Sequence, residues 1–252
     1  MIKLAVLDLD DTLAGIGQGI SQELCDGLKQ LEDEGVKICI ISGKTVFYLS
    51  AFMRQVGLKE PYLIGENGAT GQLGTSLPPR KAWQYERSEK SDSILVSLCR
   101  EISQEMGNEV WFQPNLVTVC AFPTNEKAKD KVRSMIQSRL LGLKGFHLYE
   151  SADCFDILPD DMNKAYGVRH LCEELKLKPE EILVAGNSAN DYQMLSLTPY
   201  SVGYNLPDPS RATYTAETPE SIITLIYQAM TDAAEADAIA AAEAEAAAEA
   251  QE

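Results

Sequence analysis

Apolar residues run almost without a break through positions 2–9, Ile-Lys-Leu-Ala-Val-Leu-Asp-Leu. Continuity rather than alternation is the pattern of a parallel strand covered on both faces. A loop with Gly15, Gly17 and Gly19 follows, and Ser21 stands as an N-cap before Leu24, Leu28 and Leu31, a stripe at helical spacing that ends near Gly35. Residues 36–41 read as a second buried strand, 46–56 as a helix stopped by Gly57, and 62–64 as a third, short strand. This alternation predicts an α/β fold with a doubly wound, Rossmann-like parallel sheet.

The rhythm changes after Pro78-Pro79. The pattern predicts a helix over 91–106, two strands over 109–113 and 116–121 separated by a Pro114-Asn115 turn, a helix over 125–141 and a strand over 146–150. Neighbouring strands joined by a tight turn imply antiparallel pairing, so residues 80–153 are expected to form a small inserted α+β domain. The parallel pattern resumes with a helix over 163–175, a strand over 182–185 and a Gly186-Asn187 turn. A helix near Asn190, short edge strands over 200–202 and 212–214, and a helix over 219–230 follow. Residues 1–79 and 154–230 are thus expected to make one core. Residues 231–252 are almost entirely Ala, Glu and Asp, and are expected to be a frayed helix or a disordered, solubilising tail.

The net charge of −16 sharpens that division, because seven acidic residues and no Lys or Arg fall in 231–252, which leaves −9 for the rest. An acidic body without a basic run argues against nucleic acid or an anionic membrane as partner. Six cysteines form no CxxC pair and only two histidines are present, which argues against a zinc cluster. Most of the cysteines read instead as small core residues of a reducing compartment. The N-terminus lacks a signal peptide's charged and apolar regions, and no run approaches the length of a membrane span. The expected location is the cytoplasm.

Four segments carry candidate chemistry, and all fall at strand ends or at the start of the helix after the insertion, where open parallel sheets bind ligands. Asp8-Leu9-Asp10-Asp11-Thr12-Leu13 gathers three carboxylates, a costly arrangement that Mg2+, with its preference for oxygen ligands, offsets. One carboxylate can attack phosphorus, and one two residues on can shuttle the proton. Ser42-Gly43-Lys44 offers a hydroxyl and close backbone approach to a phosphoryl group. Lys164 opens a helix, where its charge opposes the dipole and calls for an anion nearby. Gly186-Asn187-Ser188-Ala189-Asn190-Asp191 can complete a metal site or orient water. Each segment also has a plainer reading: an acidic turn, a Ser-Gly turn, a surface lysine, a helix N-cap. Their joint order is harder to explain that way.

At these residues the sequence resembles the haloacid dehalogenase-like (HAD) superfamily of phosphohydrolases, over about residues 1–230. Asp8–Leu13 is similar to the first motif, DxDxT. Ser42 matches the second motif, Lys164 the third, and Gly186–Asp191 the fourth, usually GDxxND. About thirty residues separate the first two motifs, so the inserted domain is a cap between the second and third. That layout, with the Gly65-Glu66-Asn67-Gly68-Ala69 loop before the cap, resembles the Cof-like and sucrose-phosphatase-like branch, and in cap size archaeal-type phosphoglycolate phosphatases.

The resemblance implies a Mg2+-dependent phosphatase of a small phosphorylated metabolite such as a sugar phosphate or a phosphoglycolate-like compound, working through an aspartyl-phosphate. Asp8 would be the nucleophile, Asp10 the general acid/base, and Ser42, Gly43, Lys164 and Asn190 the phosphate-binding residues. Asp8, Asp10, Asn187 and Asp191 would be the metal ligands. The family usually has Asp at Asn187, so weaker metal affinity is expected. Asp11, where Gly or Asn is common, and Lys44, where Arg is common, are milder departures. A phosphomutase or phosphotransferase on the same scaffold, or a non-catalytic phosphate-ligand binder, are the alternatives. Trp111, Gln113, Arg80 and Lys81 are candidates for leaving-group contacts, and each also reads as ordinary core or surface.

Overall fold

The structure, a computed structural model, describes residues 1–249. The chain begins with β1 (Leu4–Asp8), α1 (Gln22–Asp33), β2 (Lys37–Ile41), α2 (Val46–Val56), β3 (Tyr62–Gly65), β4 (Thr70–Leu73) and β5 (Ala82–Gln84). Next come α3 (Glu89–Met106), β6 (Val110–Phe112), β7 (Val119–Pro123), α4 (Glu126–Leu140), β8 (Phe146–Glu150) and β9 (Phe155–Pro159). It closes with α5 (Lys164–Leu175), β10 (Ile182–Gly186), α6 (Tyr192–Leu195), β11 (Ser201–Tyr204), β12 (Tyr214–Ala216) and α7 (Ser221–Glu249).

Two sheets result. The larger has the order β12-β11-β10-β1-β2-β3-β4-β5, parallel from β12 to β3 and antiparallel through β4 and β5. The unbroken apolar run of β1 is explained by its two partners. Ala5 and Leu7 pack with Leu24, Leu28 and Leu31 of α1, Leu49 and Met53 of α2, and Ile222 and Ile226 of α7. Leu4 and Val6 pack on the other side with Ala165, Val168 and Leu171 of α5 and Met194 and Leu195 of α6. Both faces are covered, so period-2 alternation has nothing to select. β1 lies between β10 and β2, and the strand order reverses there; the carboxyl ends of these three strands form the crevice at a topological switch point.

The smaller sheet, β6-β7-β9-β8, is antiparallel throughout. Val119, Ala121, Phe155 and Ile157 point to α3 and α4, where they meet Leu95, Leu98, Ile102, Val132 and Ile136. By period-2 alternation the opposite face carries Cys120, Phe122 and Asp156.

Three features differ from the sequence reading. β9 joins the smaller sheet, so that unit runs past the expected break at 153, because Phe155 and Ile157 complete the α3/α4 core. β4 and β5 extend the larger sheet to residue 84; both are short, and Gly71 interrupts the apolar pattern of β4. Residues 231–249 continue α7 without a break. Their start is packed rather than frayed: Ala233 is buried and Asp232 accepts a 2.6 Å hydrogen bond from the Tyr214 hydroxyl. From Glu235 to Ala247 the helix is exposed, and residues 250–252 lie outside the described residues. Among the described residues no helix is long and apolar enough to cross a membrane.

Candidate active site

The turn after β1 is held by its own backbone. The Leu9 carbonyl accepts from the N–H groups of Thr12, Leu13 and Ala14, and Asp11 takes a left-handed conformation at φ 59°. The turn carries Thr12 back so that its hydroxyl donates to Asp8 Oδ2 at 2.8 Å. At the end of β2, Ser42 Oγ donates to Asp10 Oδ2 at 3.2 Å and accepts from the Lys44 N–H at 3.1 Å. At the end of β10, the N–H groups of Asn187 and Ser188 each donate to Asp191 Oδ2 at 3.0 Å. Gly186 makes that turn possible, since a Cβ there would lie 2.6 Å from the Asp191 side chain. The start of α5 is seated by a second glycine. Gly68, at φ 105°, lies so close that a Cβ would come 2.3 Å from the Asn163 carbonyl oxygen. Asn163 caps α5 by accepting from the Tyr166 N–H at 2.9 Å, which leaves Lys164 as the first helical residue.

Lys164 joins two of these strand ends. Its Nζ donates to Asp8 Oδ1 at 2.6 Å and to Asp191 Oδ1 at 2.7 Å, with all three side chains buried. Burial pushes the Asp8 carboxyl up to about 7, against the pull of Lys164 and with the help of the Asp191 charge. Burial alone would lower Lys164, but Asp191 and Asp8 outweigh it and hold the ammonium above the usual lysine range. Lys164 therefore stays charged, and Asp8 is the group whose proton is in play. One buried cation serves two buried carboxylates, and the surplus negative charge sits beside the crevice.

Asp8, Asp10, Ser42, Gly43, Lys164, Asn187 and Asn190 all line one cavity of about 190 Å³. Its roof comes from the smaller sheet: Gln113, Cys120, Phe122, Cys154 and Asp156. The roof is tied down at three points. Gln113 Nε2 donates to the Gly43 carbonyl at 3.0 Å, and Asn67 Nδ2 donates to Asp156 Oδ2 at 3.1 Å. Glu66, fully buried, accepts from the N–H groups of Leu116, Val117 and Thr118 at 2.8, 2.8 and 2.9 Å.

Asp191 stands apart from the other expected metal ligands. It is 0% exposed and does not line the cavity; one oxygen holds Lys164, and the other accepts from the Asn187–Ser188 turn. The structure thus places it behind Lys164, hydrogen-bonded to its ammonium. Asn190 lines the cavity and accepts from the Ser188 hydroxyl. Of the leaving-group candidates only Gln113 reaches the cavity. Arg80 pairs with Glu60, Lys81 pairs with Glu174, and Trp111 is 57% exposed against Phe122. Glu66, Asn67 and Asp156 were missed by sequence reasoning. The only signal was the glycine-bounded loop at 65–69.

The comparisons with known proteins agree with this layout. Residues 2–240 match the family model described as sucrose-6F-phosphate phosphohydrolase. A phosphoglycolate phosphatase from Thermoplasma volcanium is 25% identical over 198 residues, covering 78% of this chain and 82% of its own. An HMP-PP phosphatase from Yersinia pseudotuberculosis is 24% identical over 224 residues, covering 78% and 81%. Among solved structures, a haloacid dehalogenase-like hydrolase from Bacteroides thetaiotaomicron superposes with a TM-score of 0.72 at 17% identity, covering 90% of this chain and 100% of its own. A HAD/COF-like hydrolase from Plasmodium vivax gives 0.72 at 16%, covering 90% and 96%. These structural likenesses establish the fold, and the match over nearly the whole chain goes further: the chain belongs to the sucrose-6F-phosphate phosphohydrolase family of HAD-like phosphoric monoester hydrolases.

Proposed function

We propose that the chain is a Mg2+-dependent phosphatase that hydrolyses a small phosphorylated metabolite through an aspartyl-phosphate on Asp8. The observation that carries this reading is the Lys164 bridge between Asp8 and Asp191 at the carboxyl edge of the parallel sheet, with the smaller sheet over the cavity. In the first step Asp8 attacks phosphorus while Asp10 protonates the leaving oxygen. In the second, Asp10 takes a proton from the water that attacks the aspartyl-phosphate. Thr12 orients the nucleophile, and Ser42, the Gly43 backbone, Lys164 and Asn190 face the phosphoryl oxygens.

The residues present fit a magnesium ion. Two buried carboxylates share one ammonium, Asp8 is pushed up by burial, and the Asn187 side chain at the cavity wall has no hydrogen-bond partner among the described residues. Asp8, Asp10 and Asn187 would hold it, all oxygen donors of the kind Mg2+ takes. When bound, Mg2+ supplies electrostatic stabilisation of the charge on the transferring phosphoryl group. A cavity of about 190 Å³ lies below the roughly 300–1,000 Å³ of pockets for drug-sized ligands, which favours a small leaving group. Phosphoglycolate, the substrate named for the Thermoplasma relative, and small sugar phosphates are of that size. All six cysteines are free thiols, which suits a reducing compartment, and we place the enzyme in the cytoplasm. The test is phosphate release from p-nitrophenyl phosphate and a panel of small phosphate esters with Mg2+, comparing the native chain with Asp8→Asn. Equal rates, or no turnover across the panel, overturn the reading.

A further inference from the structure

The roof of the cavity holds chemistry that phosphate transfer does not use. Cys120 of β7 and Asp156 of β9 are direct cross-strand partners. Cys154 lies two residues before Asp156 and so faces the same way. The two sulfurs and a carboxylate oxygen of Asp156 all lie within 4.8 Å of one another. All three residues line the cavity across from Asp8, and both thiols are buried.

We propose that Cys120, Cys154 and Asp156 form a second cation site, for a soft divalent ion such as Zn2+, whose occupancy blocks the leaving-group side of the cavity. Two sulfurs and one carboxylate make a donor set that selects zinc, whereas the sheet side offers only the oxygens that Mg2+ takes. The sizes agree. Zn–S bonds of about 2.3 Å at a tetrahedral centre put the sulfurs about 3.8 Å apart, so the triad closes with a movement of about an ångström at most. Three protein ligands would leave a fourth position open, and all three residues line the cavity.

The strand register favours an ion over a disulfide. Extending the β7–β9 ladder by one residue puts Cys154 opposite Phe122, diagonal to Cys120. Diagonal neighbours stand about 7–8 Å apart at Cα, beyond the roughly 4.4–6.8 Å of a disulfide. The hydrogen bond with Cys154, burial and the Asp156 charge push the Cys120 thiol up, so it is a neutral thiol whose proton an incoming cation must displace. Asn67 Nδ2 donates to Asp156 at 3.1 Å and would fix the carboxylate from outside, as partners of metal ligands do. Ser151 Oγ lies 3.1 Å from Cys154 Sγ, and Lys44, whose Nζ sits 5.4 Å from the Phe122 ring centroid, adds positive charge at the cavity wall. Binding releases the two thiol protons to solvent, so affinity falls as the pH is lowered. The blocking effect rests on the phosphatase reading; the binding does not.

The probe is Co2+ titrated into the full chain with Mg2+ in excess. The expected result is thiolate-to-cobalt charge-transfer absorption that saturates at one ion per chain and is displaced by Zn2+. It is lost in Cys120→Ser and in Cys154→Ser and kept in Cys172→Ser. Loss of an outer partner alone costs about 10–100-fold in metal affinity, so Asp156→Asn weakens binding at least about tenfold. In the unmutated chain, Zn2+ should shield Cys120 and Cys154 from alkylation and leave the half-buried Cys25, Cys99 and Cys172 as reactive as before. No thiolate–cobalt band, a band kept in both serine variants, or no selective shielding overturns the site. Zn2+ that fills the triad without slowing p-nitrophenyl phosphate turnover refutes the blocking half. A zinc-free chain that binds Co2+ as described but hydrolyses nothing refutes the phosphatase reading instead.

Discussion

Glu66→Ala tests how the roof is held. Glu66, Asn67 and Gly68 all sit at positive φ, at 53°, 55° and 105°. A non-glycine residue in that region costs roughly 1–2 kcal/mol, so something must hold the two side chains there. The buried Glu66 carboxylate does so, since three consecutive N–H groups of residues 116–118 donate to it. Hydrogen bonds to a charged group contribute about 1.5–3 kcal/mol each. The three share one acceptor and are not additive, and water entering the vacated space offsets part of the loss. Truncation should therefore cost about 3–5 kcal/mol, in the range for breaking a buried charged contact. At about 2–4 °C per kcal/mol for a chain of this size, the melting temperature should fall by roughly 10 °C. Glu66→Gln keeps one acceptor oxygen but turns an amide donor toward a backbone N–H, and should cost about 1–2 kcal/mol. Thermal and urea unfolding give the stabilities, and hydrogen exchange at Leu116, Val117 and Thr118 reports the bonds directly. An alanine variant that melts within about 2 °C of the native chain, with those three amides still protected, would refute the clamp.

Asp8→Asn should raise stability at neutral pH when metal is removed with a chelator. The folded chain holds the Asp8 proton up to about pH 7, whereas the unfolded chain releases it near 3.8, so the native protein loses stability as pH rises between those values. The variant should lack that slope, with the difference in melting temperature vanishing near about pH 4; a native chain that gains on the variant as pH rises contradicts this. Asn187→Asp should tighten Mg2+ activation by restoring a negative ligand, read as a lower Mg2+ concentration for half-maximal phosphate release; an unchanged midpoint means that Asn187 does not reach the ion. Gly68→Ala should misplace Lys164, because its Cβ would meet the Asn163 carbonyl at 2.3 Å; phosphate release should fall about tenfold or more, and an unaffected rate removes this glycine from the positioning of α5.

The sequence exposed the floor of the site and hid its roof, for a physical reason. Asp8, Ser42 and Asn187 are legible because each follows a run buried on both faces, and a parallel strand ends where its ligands bind. Lys164 is legible because a lysine opening a helix opposes the dipole. The roof depends instead on register. Alternation along 119–123 says that Cys120 and Phe122 share a face, but nothing local says that Asp156 stands opposite Cys120. β9 went unread for the same reason: Phe155–Pro159 is short, Asp156 interrupts its apolar run, and nothing local names β7 as its partner. Glu66 was hidden more deeply, because its role needs a left-handed backbone and acceptor bonds to residues about fifty positions on. Most of the cysteines were expected to be small core residues, and Cys39, Cys120 and Cys154 are buried; Cys39 lies beneath α5 and α6, whereas Cys120 and Cys154 also line the cavity. Those two pair a buried location with a face that β7 and β9 turn toward the cavity. Whether a buried cysteine faces only core or also a cavity is decided by the strand across from it, and that is fixed only when the sheet forms.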